Sequence, residues 1–158
     1  MDKLPGAFSA SKEIAMISPV GRRHRHELNR LSQRYNHYDW TARNLRVFAR
    51  RLASVLTNSA LTPEGAEALA PLLREVSEAA NSLAHSVREP SLAGQLKYEK
   101  AAVVQLESAA AQLDPRALGV EGLQGEGLVL LLRPMIVDLL EAAGRDHEDA
   151  VAALPKLS

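Results

Sequence analysis

The chain has 158 residues, no cysteine and a formal net charge of +0 at pH 7. Because cysteine is absent, disulfides, thiolate metal sites and thiol nucleophiles are excluded. Hydrophobic residues make up 46% of the chain and aromatic residues only 4%, which predicts one domain with a core of leucine, alanine and valine.

The net charge of zero conceals a strong asymmetry along the chain. Residues 1–51 carry eleven Lys and Arg against four Asp and Glu, a net charge of +7, whereas residues 52–158 carry eight against fifteen, a net charge of −7. Such a division indicates either that one segment faces a polyanion or that the two parts bind each other. We expect much of the two charges to meet inside one bundle.

The first predicted element is an N-terminal arm or short helix over residues 1–17, followed by a single helical-bundle domain over residues 18–158. A long helix is predicted from Pro19 to about Asn58, with Ser18 as its N-cap. Its apolar residues alternate spacings of three and four, as in coiled coils. This spacing predicts a buried face formed by Leu28, Leu31, Tyr35, Tyr38, Ala42, Leu45, Ala49, Leu52 and Leu56.

Four further helices are predicted after the first, the last of them short. Thr62 and Ser91 are the expected caps of the second and third helices, and Gly144 is expected to end the fourth. Pro71 predicts a kink or a broken first turn, because proline has no backbone N–H. The predicted ranges are 63–88, 91–112, 126–143 and 146–154. The expected buried residues of the third helix are Leu92, Leu96, Val103, Leu106, Ala110 and Leu113.

No segment shows the alternation of apolar and polar residues that is typical of a β-strand. The predicted fold class is therefore all-α, an antiparallel bundle of about four long helices with one or two short extra helices.

The densest cationic run extends over residues 21–26, in which Arg22, Arg23 and Arg25 are candidates for contact with anionic lipid head groups. A solvated helix start beside acidic partners is the alternative. Nucleic acid is not expected as a partner, because the basic residues lie on a long helix with a full apolar face. His24 and His26 are about 200° apart around a helix and cannot bind one metal ion together.

Three aromatic residues close together, Tyr35, Tyr38 and Trp40, are candidates for binding a planar aromatic anion, with Arg34 or Arg43 as the counter-charge. Tyr35 and Tyr38 also belong to the predicted apolar face, so packing in the core is the competing interpretation.

Further arginines of the first helix are predicted to form structural ion pairs. Arg43, Arg46 and Arg50 are expected to reach acids of neighbouring helices, with Asp138, Glu141 and Glu75 as the candidates. Asn44 lies beside the apolar face and is a candidate for a buried polar contact that fixes the helix register.

Sequence motifs of catalysis are missing. We find no nucleophile elbow, no glycine-rich phosphate loop after a strand and no HExxH, and His37, His85 and His147 have no recognisable ligand spacing. The sequence therefore predicts neither an enzyme nor a metal or cofactor site.

Four stretches resemble a known family. They are residues 18–25 (Ser-Pro-Val-Gly-Arg-Arg-His-Arg), 41–51 (Thr-Ala-Arg-Asn-Leu-Arg-Val-Phe-Ala-Arg-Arg), 61–64 (Leu-Thr-Pro-Glu) and 138–144 (Asp-Leu-Leu-Glu-Ala-Ala-Gly). With them, most of residues 18–155 resembles the C-terminal soluble part of actinobacterial fusaric-acid-resistance-like proteins, also called aromatic acid exporter family proteins. Pro134 departs from the family pattern, in which a small polar residue is expected after Arg133.

The resemblance implies a non-catalytic helical domain at the cytoplasmic face of the inner membrane. Its partners would be the membrane-embedded remainder of the same protein and the membrane surface, and its role would be assembly or regulation. The resemblance implies no substrate-binding residues for this part. Two other functions stay open: an aromatic small-molecule sensor, and a free-standing helical module for protein interaction or homo-oligomerisation.

Overall fold

The computed structural model describes residues 19–120 and 122–157, with side chains described from residue 34 onward. This part of the chain forms helices and contains no strand, so the predicted all-α bundle is confirmed. The helices are α1 (Pro19–Thr57), α2 (Pro63–Arg88), α3 (Leu92–Ala111), α4 (Leu123–Ala142) and α5 (His147–Ala152). The arm predicted for residues 1–17 and the cap predicted at Ser18 lie outside the described residues.

The chain divides into two compact units, with the boundary inside α1 between Asn36 and His37. The first unit is described only as the helical backbone from Pro19 and as the side chains of its last three residues. All packing described below belongs to the second unit, which begins at His37.

Helices α2 and α3 begin at the N-caps that the sequence predicts, Thr62 and Ser91. The hydroxyl of Thr62 accepts a hydrogen bond from the backbone N–H of Gly65 at 3.0 Å, and the hydroxyl of Ser91 accepts one from Gly94 at 3.1 Å. These bonds satisfy backbone donors that have no partner inside the helix. Gly144 adopts the left-handed conformation expected after α4, with φ at 99°.

Two helix bounds differ from the prediction by two residues or more, and one predicted capping bond is not formed. Helix α4 begins at Leu123, three residues before the predicted start. Asp146 precedes α5 as expected, but its side chain makes no capping hydrogen bond. Helix α5 ends at Ala152, two residues early.

Two prolines lie inside continuous helices, Pro71 in α2 and Pro134 in α4. Of the two alternatives predicted at Pro71, the broken turn is wrong, since α2 runs unbroken from Pro63, and the kink stays a prediction. Both prolines are exposed, so the carbonyl that loses its N–H partner lies on the solvent side of the helix. Water can then replace the missing hydrogen bond.

Helix α4 is the most deeply buried of the described helices. After its first two residues, which are exposed, the exposed positions of α4 form a narrow strip of Glu126, Leu130 and Pro134. Helices α3 and α5 both pack against α4. Helices α2 and α3 pack along each other as an antiparallel pair, and α2 also contacts α4. The largest fully buried side chains are Leu72, Leu83, Leu106, Leu113, Leu128, Leu132, Ile136 and Leu140.

The buried face of α1 differs from the predicted apolar face. Phe48 and Val55 are 4% and 1% exposed, whereas Leu45 and Leu56 are 50% and 58% exposed. The face that packs against the core continues through Asn44 and Leu52. The prediction is confirmed for Tyr38 and Leu52, which are partly buried against the core. It was wrong for Leu45, Ala49 and Leu56, because it counted apolar residues only, whereas the packed face of α1 includes the polar side chain of Asn44.

The start of α3 also differs from the prediction. Leu92 and Leu96 are 67% and 41% exposed, while Leu106, Ala110 and Leu113 are buried as expected. Val87 near the end of α2 is exposed as well. The α2–α3 turn therefore carries apolar side chains that the described core does not cover.

Arg133 joins three parts of the bundle. From α4 its guanidinium donates to the carbonyl oxygen of Leu113 at 2.7 Å and to that of Pro155 at 2.7 Å. Hydrogen bonds from a charged donor are stronger than neutral ones, so this side chain holds the end of α3 and the C-terminal segment against α4.

No helix in the described part of the chain has both the length and the hydrophobicity that a membrane span needs.

Candidate functional site

A cluster of histidine and acidic side chains lies where α1, α4 and the start of α5 meet. It consists of His37, Asp138, Glu141 and His147, which we call the His–carboxylate cluster. Asp138 and Glu141 are three residues apart on α4, a spacing that places both on one face of a helix. His37 comes from α1, and His147 is the first residue of α5.

Glu141 is the centre of this cluster. Its Oε2 lies 3.6 Å from Nδ1 of His37, and its Oε1 lies 3.1 Å from Nδ1 of His147. The side chains of Glu141 and His37 are only 16% and 18% exposed, whereas His147 is 68% exposed. One carboxylate thus faces two imidazoles, one inside the bundle and one at its surface.

Asp138 is held from the opposite helix. The amide nitrogen of Asn44 on α1 donates to its Oδ2 at 2.9 Å, across 94 residues of sequence. Burial raises the pKa of Asp138 above its ordinary value of 3.8, and the hydrogen bond from Asn44 only partly offsets this effect. The charge of Glu141 also raises this pKa, so the site brings two carboxylates together in partly buried surroundings.

The imidazole of His37 is fixed in orientation but has an unsatisfied nitrogen. Trp40 contacts its ring edge to face, with the ring centroids 5.1 Å apart. Nδ1 is buried and has no hydrogen-bond partner, and the hydroxyl of Thr41 on the same helix has none either. Buried polar atoms normally have a partner, so these two call for an explanation.

Among the residues with described side chains, no interhelical ion pair is found for Arg43, Arg46 or Arg50. Arg43 pairs with Asp39 on its own helix at 2.8 Å, and Arg50 donates to the backbone carbonyl of Arg46 at 3.3 Å. All three arginines are exposed, because the buried face of α1 is the one that carries Asn44 and Phe48. The expectation that these charges meet the acids of later helices was wrong for Arg43 and Arg50.

Asp138 does make an interhelical contact, with Asn44 instead of an arginine. The structure therefore contains the polar contact predicted for Asn44, and its role in fixing the helix register stays a prediction. A separate ion pair joins Arg145 to Glu107 on α3.

The three aromatic residues of the predicted ligand site differ in burial and in the unit to which they belong. Tyr38 is half-buried against the core, and Trp40 is 48% exposed. Tyr35, also half-buried, belongs to the other unit. An open groove at the α1–α2 turn is lined by Val55, Leu56, Ser59, Ala60, Leu61, Thr62 and Pro63. None of the three aromatic candidates lines it, and ligand binding at them stays a prediction.

The candidate lipid contacts Arg22, Arg23 and Arg25 belong to α1, in the stretch whose side chains lie outside the described ones. Sequence reasoning missed the His–carboxylate cluster. The spacing of Asp138 and Glu141 was visible, but only the docking of α1 brings His37 to them.

No family model matches the chain, and no curated protein or solved structure matches it either.

Proposed function

We propose that this chain is a non-catalytic helical domain of a membrane efflux protein of the fusaric-acid-resistance-like, aromatic acid exporter type. It lies at the cytoplasmic face of the inner membrane, where it serves assembly or regulation of the membrane-embedded part.

The observation that carries the proposal is the contact between Asn44 and Asp138. Two of the stretches that resemble the family, residues 41–51 and 138–144, are far apart in sequence yet are joined by this hydrogen bond of 2.9 Å. This contact supports the proposal, because it places the two stretches side by side where α1 meets α4.

Exposed apolar residues on α1 support a role in assembly. Trp40, Leu45, Val47 and Leu56 are between 44% and 58% exposed, although the same helix buries Phe48. At these spacings Trp40 lies beside Val47 on one side of α1, and Leu45 and Leu56 share a line on the other side. Contact of these two exposed apolar lines with another part of an assembly would cover them. The same residues also favour the second candidate, a free-standing interaction module.

The cationic run supports placement at a membrane surface. Each Lys or Arg near an anionic leaflet contributes about 1 kcal/mol of attraction. Positive charge is also enriched on the cytoplasmic flanks of membrane helices. Arg22, Arg23 and Arg25 would supply this attraction.

Reversal of these three charges should abolish binding to anionic vesicles. Three residues at about 1 kcal/mol each predict a loss of roughly 100-fold in affinity for Arg22→Glu, Arg23→Glu and Arg25→Glu combined. Flotation with vesicles of phosphatidylcholine and phosphatidylglycerol measures this binding, and circular dichroism checks that the helix content is unchanged.

A matched triple variant controls for net charge. Arg74→Glu, Arg88→Glu and Lys97→Glu change the charge by the same amount at exposed positions of α2 and α3, and this variant should keep most of the binding. If the variant with Arg22→Glu, Arg23→Glu and Arg25→Glu floats with the vesicles as the unchanged protein does, the proposed position at the membrane surface is contradicted. Equal losses in both triple variants would count against a localised cationic site.

A further inference from the structure

We infer that His37, Asp138 and Glu141 form a binding site for a divalent transition-metal ion, for which zinc fits best. Asn44, His147 and Trp40 act as positioning residues around it. All six residues belong to the unit that begins at His37. This site goes beyond the proposed role in assembly and does not depend on it.

The distances are close to those of a metal site. One potential ligand atom from each of His37, Asp138 and Glu141 lies within 4.8 Å of the others, and the imidazole nitrogen is 3.6 Å from the nearest oxygen of Glu141. Tetrahedral zinc with bonds of about 2.0–2.1 Å holds its ligand atoms roughly 3.3 Å apart. Small side-chain rotations therefore bring the three atoms to bonding distance.

The unsatisfied nitrogen of His37 is an independent reason to place an ion here. Nδ1 is buried, lacks a hydrogen-bond partner and faces a carboxylate. A bound cation would give this lone pair a partner and would balance the two carboxylates beside it.

Each of the three ligands is oriented by a neighbour, as is usual around protein-bound metals. Asn44 holds Oδ2 of Asp138 and leaves the other oxygen for the ion. His147 contacts Oε1 of Glu141, while Oε2 faces His37. Trp40 packs against the ring of His37.

The types of ligand select the metal. An imidazole suits zinc, copper, iron or nickel, whereas magnesium and calcium prefer sites made entirely of oxygen. One histidine and two carboxylates leave a fourth position of a zinc ion for water. Because His147 is exposed, solvent reaches the edge of the cluster and an ion can enter.

Zinc titration of the full chain tests the site. Metal-free protein is titrated with zinc against a chromogenic chelator, and we expect one tightly bound ion per chain. His37→Gln and Glu141→Gln should each weaken binding by at least ~100-fold, since residues that only orient ligands already contribute 10–100-fold. His147→Gln should weaken it by roughly 10-fold. Circular dichroism shows whether each variant keeps its helix content.

Other histidines provide matched controls. His85 is exposed on α2 and stacks on Tyr98, and His24 with His26 forms the H-x-H pair near the start of α1. His85→Gln and the double variant His24→Gln, His26→Gln should bind zinc as the unchanged protein does. Absence of zinc binding would overturn the inference. Unchanged affinity in Glu141→Gln and His37→Gln, or loss of binding in the H-x-H variant, would overturn it too.

Should His37→Gln unfold, two milder variants keep the inference testable. Asp138→Asn retains an oxygen that can accept from Asn44, and Glu141→Gln retains the size of the side chain. In both, the absorption spectrum of bound Co²⁺ should lose the intensity of a four-coordinate site. A spectrum equal to that of the unchanged protein would contradict the assigned ligands.

Discussion

Replacement of Phe48 by alanine is expected to lower the free energy of unfolding by about 3–5 kcal/mol, the largest effect of any single change on α1. Phe48 is 4% exposed and belongs to the core, so its loss leaves a cavity. Leu45→Ala, three residues earlier, should change the free energy by less than ~0.5 kcal/mol. Urea unfolding followed by circular dichroism measures both.

This pair of variants distinguishes the two possible faces of α1. Leucine and alanine have similar helix propensities, and Leu45 is half-exposed, so Leu45→Ala is a fair control. A larger decrease in the free energy of unfolding for Leu45→Ala than for Phe48→Ala would mean that the predicted apolar face of α1, and not the observed one, packs against the bundle.

Asn44→Ala is expected to lower the free energy of unfolding by about 1–2 kcal/mol. The change removes the amide of α1 that donates to the partly buried carboxylate of Asp138. Hydrogen bonds to charged groups contribute about 1.5–3 kcal/mol, and partial exposure to solvent lowers this figure. In a chain of this length the melting temperature should fall by about 2–4 °C per kcal/mol. Thermal melts and urea unfolding check the effect.

Asn81→Ala on the exposed side of α2 is the matched control, because it removes the same amide and gains the same helix propensity. It should be neutral or slightly stabilising. A double-mutant cycle of Asn44→Ala with Asp138→Ala isolates the pair. Strictly additive effects would show that the two residues do not interact in solution.

Local chemistry explains the elements that the sequence predicted well. Thr62 before Pro63, and Ser91 before α3, satisfy N–H groups through side chains only a few residues away. The position of Gly144 depends only on a backbone conformation that suits glycine. Such signals are contained in short segments and can be read without the tertiary structure.

The face of α1 could not be predicted in this way. Leu45 and Leu56 complete a more regular apolar stripe than the one that is buried, and only the presence of Asp138 on α4 makes Asn44 a suitable neighbour of Phe48. The packed face of the helix therefore depends on a partner remote in sequence.

The His–carboxylate cluster and the contacts of Arg133 were hidden for a similar reason. His37 reaches Glu141 only after α1 and α4 have docked, and Arg133 binds backbone carbonyls, which leave no pattern in a sequence. The ion pairs of the α1 arginines with neighbouring helices were wrongly predicted, because charge counts do not specify which side of a helix faces solvent.

The size and location of the native polypeptide test the central claim most directly. An antibody raised against residues 63–157 is used to probe soluble and membrane fractions of the source cells. We expect a band well above the 17.1 kDa of this chain, confined to the membrane fraction and released by detergent but not by alkaline carbonate. A single band at 17.1 kDa in the soluble fraction would contradict attachment to an exporter.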